Sequence, residues 1–252
     1  MEIGRKVFVL ILLMSPSGVC AQSSIPLGTV LPAQLSSSLN SRKSKPGEQI
    51  TARIMQDVPL PSGKKVRAGA KVIGHVVSVK AARNGQPSEI TLHFDRLEFA
   101  HRSVRMNTSL RALASMMEVE DAQIPPAGTD RGTPWAWTTR NLIGGEVAYG
   151  EGGPVVHGAD IVGRSLFGGT LVAAKASPGS GCRGEVAGNT QPQALWLFSS
   201  DACGVYGMED VQISHAGRTS PPGEITLTSK TGNVDIKSGS GMLLRVNDSS
   251  PQ

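Results

Sequence analysis

The residues in this chain that could do chemistry are few and far apart. Five histidines stand at His75, His93, His101, His157 and His215. No two have the spacing of a helical or turn-built zinc pair, and there is no H-E-x-x-H run. His75 lies in an apolar run and is expected to be a hydrogen-bonded core residue. His93 alternates onto a polar strand face, where it should be solvated. A metal site could come from these histidines only by assembly of three of them in space, so neither metal nor cofactor is expected. Ser199-Ser200-Asp201 places hydroxyls beside a carboxylate, but no G-x-S-x-G elbow exists, and a turn ahead of Cys203 explains the run more simply. Glu118, Glu120 and Asp121 cluster where a solvated helix face is the ordinary reading, whereas glycoside hydrolysis needs two carboxylates facing one groove. No catalytic residue is therefore assigned, and an enzyme is not expected.

Two other groups are candidates. Trp135 and Trp137 are two residues apart and point the same way in an extended segment, with Arg140 nearby. They could stack on sugar rings or grip a partner protein, or they could pin an irregular segment onto a sheet. Cys182 and Cys203 form an even pair in an exported chain, flanked by Gly181, Gly184 and Gly204, and are expected to form one structural disulfide. Such a loop would contribute on the order of 3 kcal/mol by restricting the unfolded chain. The rival reading, a redox pair, lacks the usual C-x-x-C spacing.

Export is read from the first residues. Arg5 and Lys6 precede the apolar run Val7 to Met14, and Val19-Cys20-Ala21 supplies a small-residue cleavage site. A lipoprotein signal ending at Cys20 would want other residues where Val19 and Ser17 stand, so simple cleavage after Ala21 is expected. No later segment approaches the ~20 apolar residues of a membrane-spanning helix. Without Glu2, Arg5 and Lys6 the balance is 23 basic to 19 acidic residues, or +4. In the periplasm, at the outer membrane or outside the cell, the partners this favours are an envelope protein or an anionic surface polymer rather than nucleic acid. Arg42-Lys43-Ser44-Lys45 and Lys64-Lys65-Val66-Arg67 are basic clusters on turns that could meet such a polymer.

The elements that would position these residues read mainly as β. Abundant glycine and few aromatic residues suit short strands and tight turns. Strands are expected at Thr29–Leu35, Gln49–Met55, Ala70–Lys80, Glu89–Phe99 and Arg102–Leu110. Asn84-Gly85 is expected to turn a hairpin. Ile90, Leu92 and Phe94 share one face, after which the parity shifts to Leu97 and Phe99, which predicts a bulge. A helix is expected over Ser109–Ala122 from Leu110, Leu113 and Met117. Gln123–Gly163 reads as a Gly/Pro-rich connector with a short strand at Asn141–Tyr149. Further strands are expected at Thr170–Ala176, Ala194–Ser199, Val211–His215, Glu224–Ser229, Val234–Lys237 and Met242–Val246.

Ile25-Pro26, Pro46-Gly47, Thr51-Ala52-Arg53, Asp57-Val58 and Ala68-Gly69-Ala70 running into Ile73-Gly74 follow one another in an order that resembles the C-terminal β-barrel domain of type IV secretion and conjugal-transfer channel proteins. The resemblance covers residues 25–108 and implies a barrel. That family crosses the outer membrane with a helical hairpin, for which this chain has no long apolar segment. The chain as a whole is also similar to a group of exported bacterial proteins, which implies export and β structure only. The expected organisation is a signal at 1–21, a barrel-like meander at 25–108, a helix and connector at 109–163, and a C-terminal antiparallel sheet or small sandwich at 164–247 with one disulfide. The expected function is a non-catalytic envelope module that binds a protein or anionic polymer. The alternatives are a soluble relative of a secretion-channel barrel and an envelope hydrolase. If the signal is cut as expected, mass spectrometry of exported protein gives a mature chain beginning at Gln22; an intact Met1 or a lipid on Cys20 contradicts it.

Overall fold

The computed structural model describes residues 25–99, 102–124, 139–173, 192–214 and 223–251. Its strands in chain order are Val30–Leu35 (β1), Leu39–Asn40 (β2), Gln49–Ile54 (β3), Val58–Pro59 (β4), Lys65–Val66 (β5), Lys71–Lys80 (β6), Ser88–Phe99 (β7) and Arg102–Ala114 (β8). After the helix Met116–Gln123 (α1) come Arg140–Asn141 (β9), Val147–Ala148 (β10), Pro154–His157 (β11), Asp160–Leu166 (β12), Gly169–Val172 (β13) and Gln193–Ala194 (β14). The chain ends with Gly204–Tyr206 (β15), Val211–Ile213 (β16), Ile225–Ser229 (β17), Asp235–Ile236 (β18) and Gly241–Pro251 (β19).

Six antiparallel strands close a barrel in the order β1, β3, β6, β7, β8, β19 and back to β1. The period-two pattern explains which way each strand faces. In β3, Ile50, Ala52 and Ile54 are buried while Gln49 and Arg53 are exposed. Leu31, Ala33 and Leu35 of β1 join them, with Phe94 and Leu97 of β7 and Leu244 and Val246 of β19. The expected bulge in β7 is present: Ile73 pairs with Arg96 and Gly74 with Phe94, so Asp95 is the extra residue. Phe94 and Leu97 both reach the core as a result. Gly74 lies so close to β7 that a Cβ there would sit 2.1 Å from the carbonyl oxygen of His93. Asn84 and Gly85 both adopt positive φ between β6 and β7, as an Asn-Gly turn requires.

β19 closes the barrel although it lies at the far end of the sequence. The strands expected to form a C-terminal unit are thus divided. β17 and β16 extend the barrel sheet beyond β7, while β13 and β14 join a second sheet. That sheet is a six-stranded meander, β9 to β14 in chain order, and it begins inside the segment read as a connector. It packs on the outside of the barrel. Val30, Ala112, Ala114 and Leu243 point out of the barrel wall against Leu142, Ile143, Val155, Val172 and the run Leu195–Phe198.

The helix differs from expectation at its start. Ser109–Ala114 continues β8, because these residues pair with β19 along one edge and with the parallel strand β15 along the other. Ser115 then caps the helix, its Oγ accepting the Glu118 N–H at 3.2 Å. Val119 and Ala122 pack under it into the second core.

Gln56, itself buried, ties the two layers together. Its Nε2 donates to the Thr170 carbonyl at 3.0 Å, and its Oε1 accepts the Trp196 N–H at 2.7 Å. Trp196 is held at φ +53°, an uncommon conformation for a bulky residue, by these surroundings. Gln56→Leu keeps the volume but leaves the buried Trp196 N–H without an acceptor, while the Thr170 carbonyl keeps only the Leu195 N–H at 3.1 Å. It should lower stability by about 1–3 kcal/mol, read as a shift in the urea midpoint, whereas the exposed control Lys80→Ala should shift it little.

Candidate functional site

A group of polar side chains is buried where the second sheet meets the barrel. Its centre is Glu146, whose side chain has no exposure. Local geometry explains its position. Leu142 to Glu146 form a tight turn, with the Leu142 N–H donating to the Glu146 carbonyl at 2.7 Å. The turn is strapped to 197–199 by Ile143 N–H to Leu197 O at 2.8 Å and Ser199 N–H to Ile143 O at 2.9 Å. Gly144 sits at φ +110°, and a Cβ on it would collide with the Ser199 hydroxyl at 1.9 Å. Only glycine allows this approach.

β10 pairs Val147 with Val156 of β11. One step along the same ladder Glu146 meets His157, and His157 Nδ1 lies 3.2 Å from Glu146 Oε1. The other Glu146 oxygen accepts the Ser200 N–H at 2.8 Å, and Ser200 Oγ donates to Oε1. Ser199 Oγ donates to Asp201 Oδ1 at 2.8 Å. Glu146, His157 and Asp201 each bring one donor atom to within 4.8 Å of the others.

Arg111 braces this cluster from the barrel side. In β8, Ala112 pairs with Leu243 but Leu110 pairs with Leu244, so Arg111 is a bulged residue. The bulge lets Leu110 and Leu113 both face the barrel core while Ala112 and Ala114 face the second core. Arg111 is 1% exposed. Its Nε donates to the Ala202 carbonyl at 2.8 Å and its Nη2 to the Ser200 carbonyl at 2.7 Å. Burial lowers its pKa to about 10, against the pull of the nearby Tyr206, Asp201 and Glu146, so it stays protonated at neutral pH. Burial likewise raises the pKa of Tyr206, whose hydroxyl accepts the Cys203 N–H at 3.1 Å.

Of the residues singled out from sequence, Trp135 and Trp137 lie outside the described residues. Arg140 opens β9, half-buried and paired with Ala148 of β10. Cys203 is disulfide-bonded, while Cys182 lies outside the described residues. Ser199-Ser200-Asp201 is a turn, as read, but a largely buried one whose hydroxyls serve carboxylates. His75 is not in the core. Its Nδ1 lies 3.0 Å from Asp95 on the outer wall, and its ring stands 5.5 Å from that of His93. His93 is half-buried and bonded to Asn107 at 3.1 Å. Sequence reasoning missed Glu146 and Arg111. The available signals were Gly144-Gly145 ahead of an acid and an arginine within an apolar run.

A second feature lies on the outer wall of the barrel. Cross-strand partners point to the same side of a sheet. Arg53 pairs with Lys71, and Lys71 with Glu98. Arg96 pairs with Arg105 one row further on. Arg53, Lys71 and Arg105 are exposed. Arg67, Lys71, Glu98, Phe99, Arg102 and Ser103 line an open groove beside them. Glu98 is the acid of this patch, 3.8 Å from Arg96. The chain matches no family model and no curated protein sequence.

Replacing Arg111 tests what holds the 199–203 turn in place. Arg111→Met leaves the carbonyls of Ser200 and Ala202 without their donors and should cost about 2–4 kcal/mol in denaturant unfolding. Arg111→Lys keeps the charge but loses the fork and should fall between.

Proposed function

We propose that the protein is an exported, non-catalytic module that binds an anionic polymer of the cell envelope through the cationic wall of its barrel. The observation that carries this reading is the pairing of like charges. Arg53 lies directly across from Lys71, and Arg96 across from Arg105, on neighbouring rows of one exposed face. Such pairs destabilise a sheet unless they are neutralised, and Glu98, across from Lys71 and 3.8 Å from Arg96, offsets only part of the four positive charges. An anionic polymer lying across β3, β6, β7 and β8 would meet both pairs at once, together with Arg67 in the adjoining groove. The match is to a repeating charge rather than to one small ligand, since the face is open and wide.

Export rests on the expected signal at Met1–Ala21, and the disulfide at Cys203 agrees with an oxidising compartment. Among the described residues no helix is long and apolar enough to cross a membrane. The closed six-stranded barrel also favours a second reading, that of a relative of secretion-channel barrels, in which case the protein should co-purify within a large membrane complex.

Arg53→Glu with Arg105→Glu converts both like-charge pairs into opposite-charge pairs. The fold should be unchanged or more stable by about 0.2–1 kcal/mol per pair. Retention on a sulfated or carboxylated polysaccharide resin should fall sharply. Wild-type retention should weaken as salt rises, as expected for exposed charges. Equal retention of the variant and the wild type, or no retention of the wild type at low salt, overturns the reading.

A further inference from the structure

We propose that Glu146, His157 and Asp201 form a binding site for one divalent transition-metal ion of the zinc class. The site is separate from the cationic wall and does not rest on the reading of that wall.

The donor set is two carboxylate oxygens and one imidazole nitrogen, which suits such an ion. The donors come from three segments fastened to one another: the 142–146 turn, the tip of the β11–β12 hairpin and the 199–201 turn. His157 Nδ1 and Glu146 Oε1 are 3.2 Å apart. Two ligands at about 2.0–2.1 Å from a tetrahedral ion lie about 3.3 Å from each other. The three donor atoms all fall within 4.8 Å of one another, so a small rotation of Asp201 completes the approach.

The surroundings orient the ligands before any ion arrives. Ser200 holds Glu146 through its N–H and its hydroxyl, and Ser199 holds one oxygen of Asp201. Hydrogen bonds of this outer kind fix carboxylate ligands in metal sites. An ion can enter past His157, whose side chain is 45% exposed. Glu146 forms the closed floor.

Charge points the same way. Two carboxylates converge here, one of them fully buried, which is costly without a cation beside them. The nearest guanidinium, Arg111, spends its Nε and Nη2 hydrogen bonds on the carbonyls of Ala202 and Ser200. Its Nη1 has no hydrogen-bond partner. Arg111 therefore moderates the affinity of the site without filling a ligand position. Metal binding through His157 Nδ1 takes the neutral imidazole in the tautomer with its N–H on Nε2, and the Nδ1–Glu146 hydrogen bond gives way to the ion.

The test uses the full mature protein, stripped with a chelator and titrated with Co²⁺ as a spectroscopic probe. We expect one Co²⁺ per chain, with visible ligand-field bands that disappear on adding one equivalent of Zn²⁺. His157→Ala and Asp201→Asn change partly exposed residues and should fold normally, yet each should abolish the stoichiometric uptake. Ser199→Ala, which removes only an orienting hydroxyl, should weaken it by about 10–100-fold. His75→Ala, on the outer barrel wall, should leave it unchanged. The proposal is overturned if the wild type takes up no stoichiometric Co²⁺, or if uptake survives in folded His157→Ala.

Discussion

The hydrogen bonds from Arg111 to the Ser200 and Ala202 carbonyls are the constraint on which the two-layer arrangement depends. A guanidinium with 1% exposure is costly in a protein interior, and two carbonyl acceptors offset only part of that cost. The arrangement becomes intelligible from the strand that carries it. β8 is long because it must pair with β7 at its start, β19 along its length and β15 at its end. A regular strand would send alternate residues into the barrel throughout. The bulge at Arg111 changes the parity, so that small residues, Ala112 and Ala114, face the second sheet while Leu110 and Leu113 still fill the barrel. The extra residue has to go somewhere, and it goes into the seam between the layers, where the 199–203 turn provides acceptors. One local irregularity thus sets the parity of the wall, the seating of the second sheet and the position of Ser200 beneath Glu146.

How far this was legible in the sequence depends on whether the cause was local. The Asp95 bulge could be read, because Ile90, Leu92, Phe94, Leu97 and Phe99 record the parity change in their own spacing. The Arg111 bulge could not, because Leu110, Leu113 and Met117 also satisfy a helical period. Both readings fit the same residues, and pairing with β19 and β15 decides between them. The closing strand was read as a strand but not as part of the barrel, since nothing in Met242–Val246 states which strand it will join. The connector was misread for the opposite reason. β9 to β12 are short, separated by glycine-rich turns and poor in regular alternation, and their burial pattern is supplied by the barrel wall against which they lie.

The polar cluster was invisible for a related reason. Glu146, His157 and Asp201 are separated by 11 and 44 positions, and no spacing rule joins them. They meet through one ladder, β10 on β11, and one strap, Ile143 to Leu197 and Ser199. The residues chosen from sequence were conspicuous by type, as aromatic pairs and paired cysteines are. Those that assemble in space are ordinary by type and defined by register.

Closing a barrel with its last strand has a kinetic cost that bears on the division of the molecule. β1 pairs with β19 across more than two hundred residues, so loop closure must precede most of the barrel's contacts. β3, β6, β7 and β8 are sequential neighbours and can pair early. Until β19 arrives, the first edge of β1 and the long free edge of β8 are both open, and open edges invite pairing with other chains. The like charges on β3, β6, β7 and β8 act on this stage as well as on the finished fold. Repulsion between copies of a cationic, partly paired sheet keeps them apart while the chain is incomplete. The same charges therefore disfavour edge-to-edge pairing between copies until β19 closes the seam and removes both open edges.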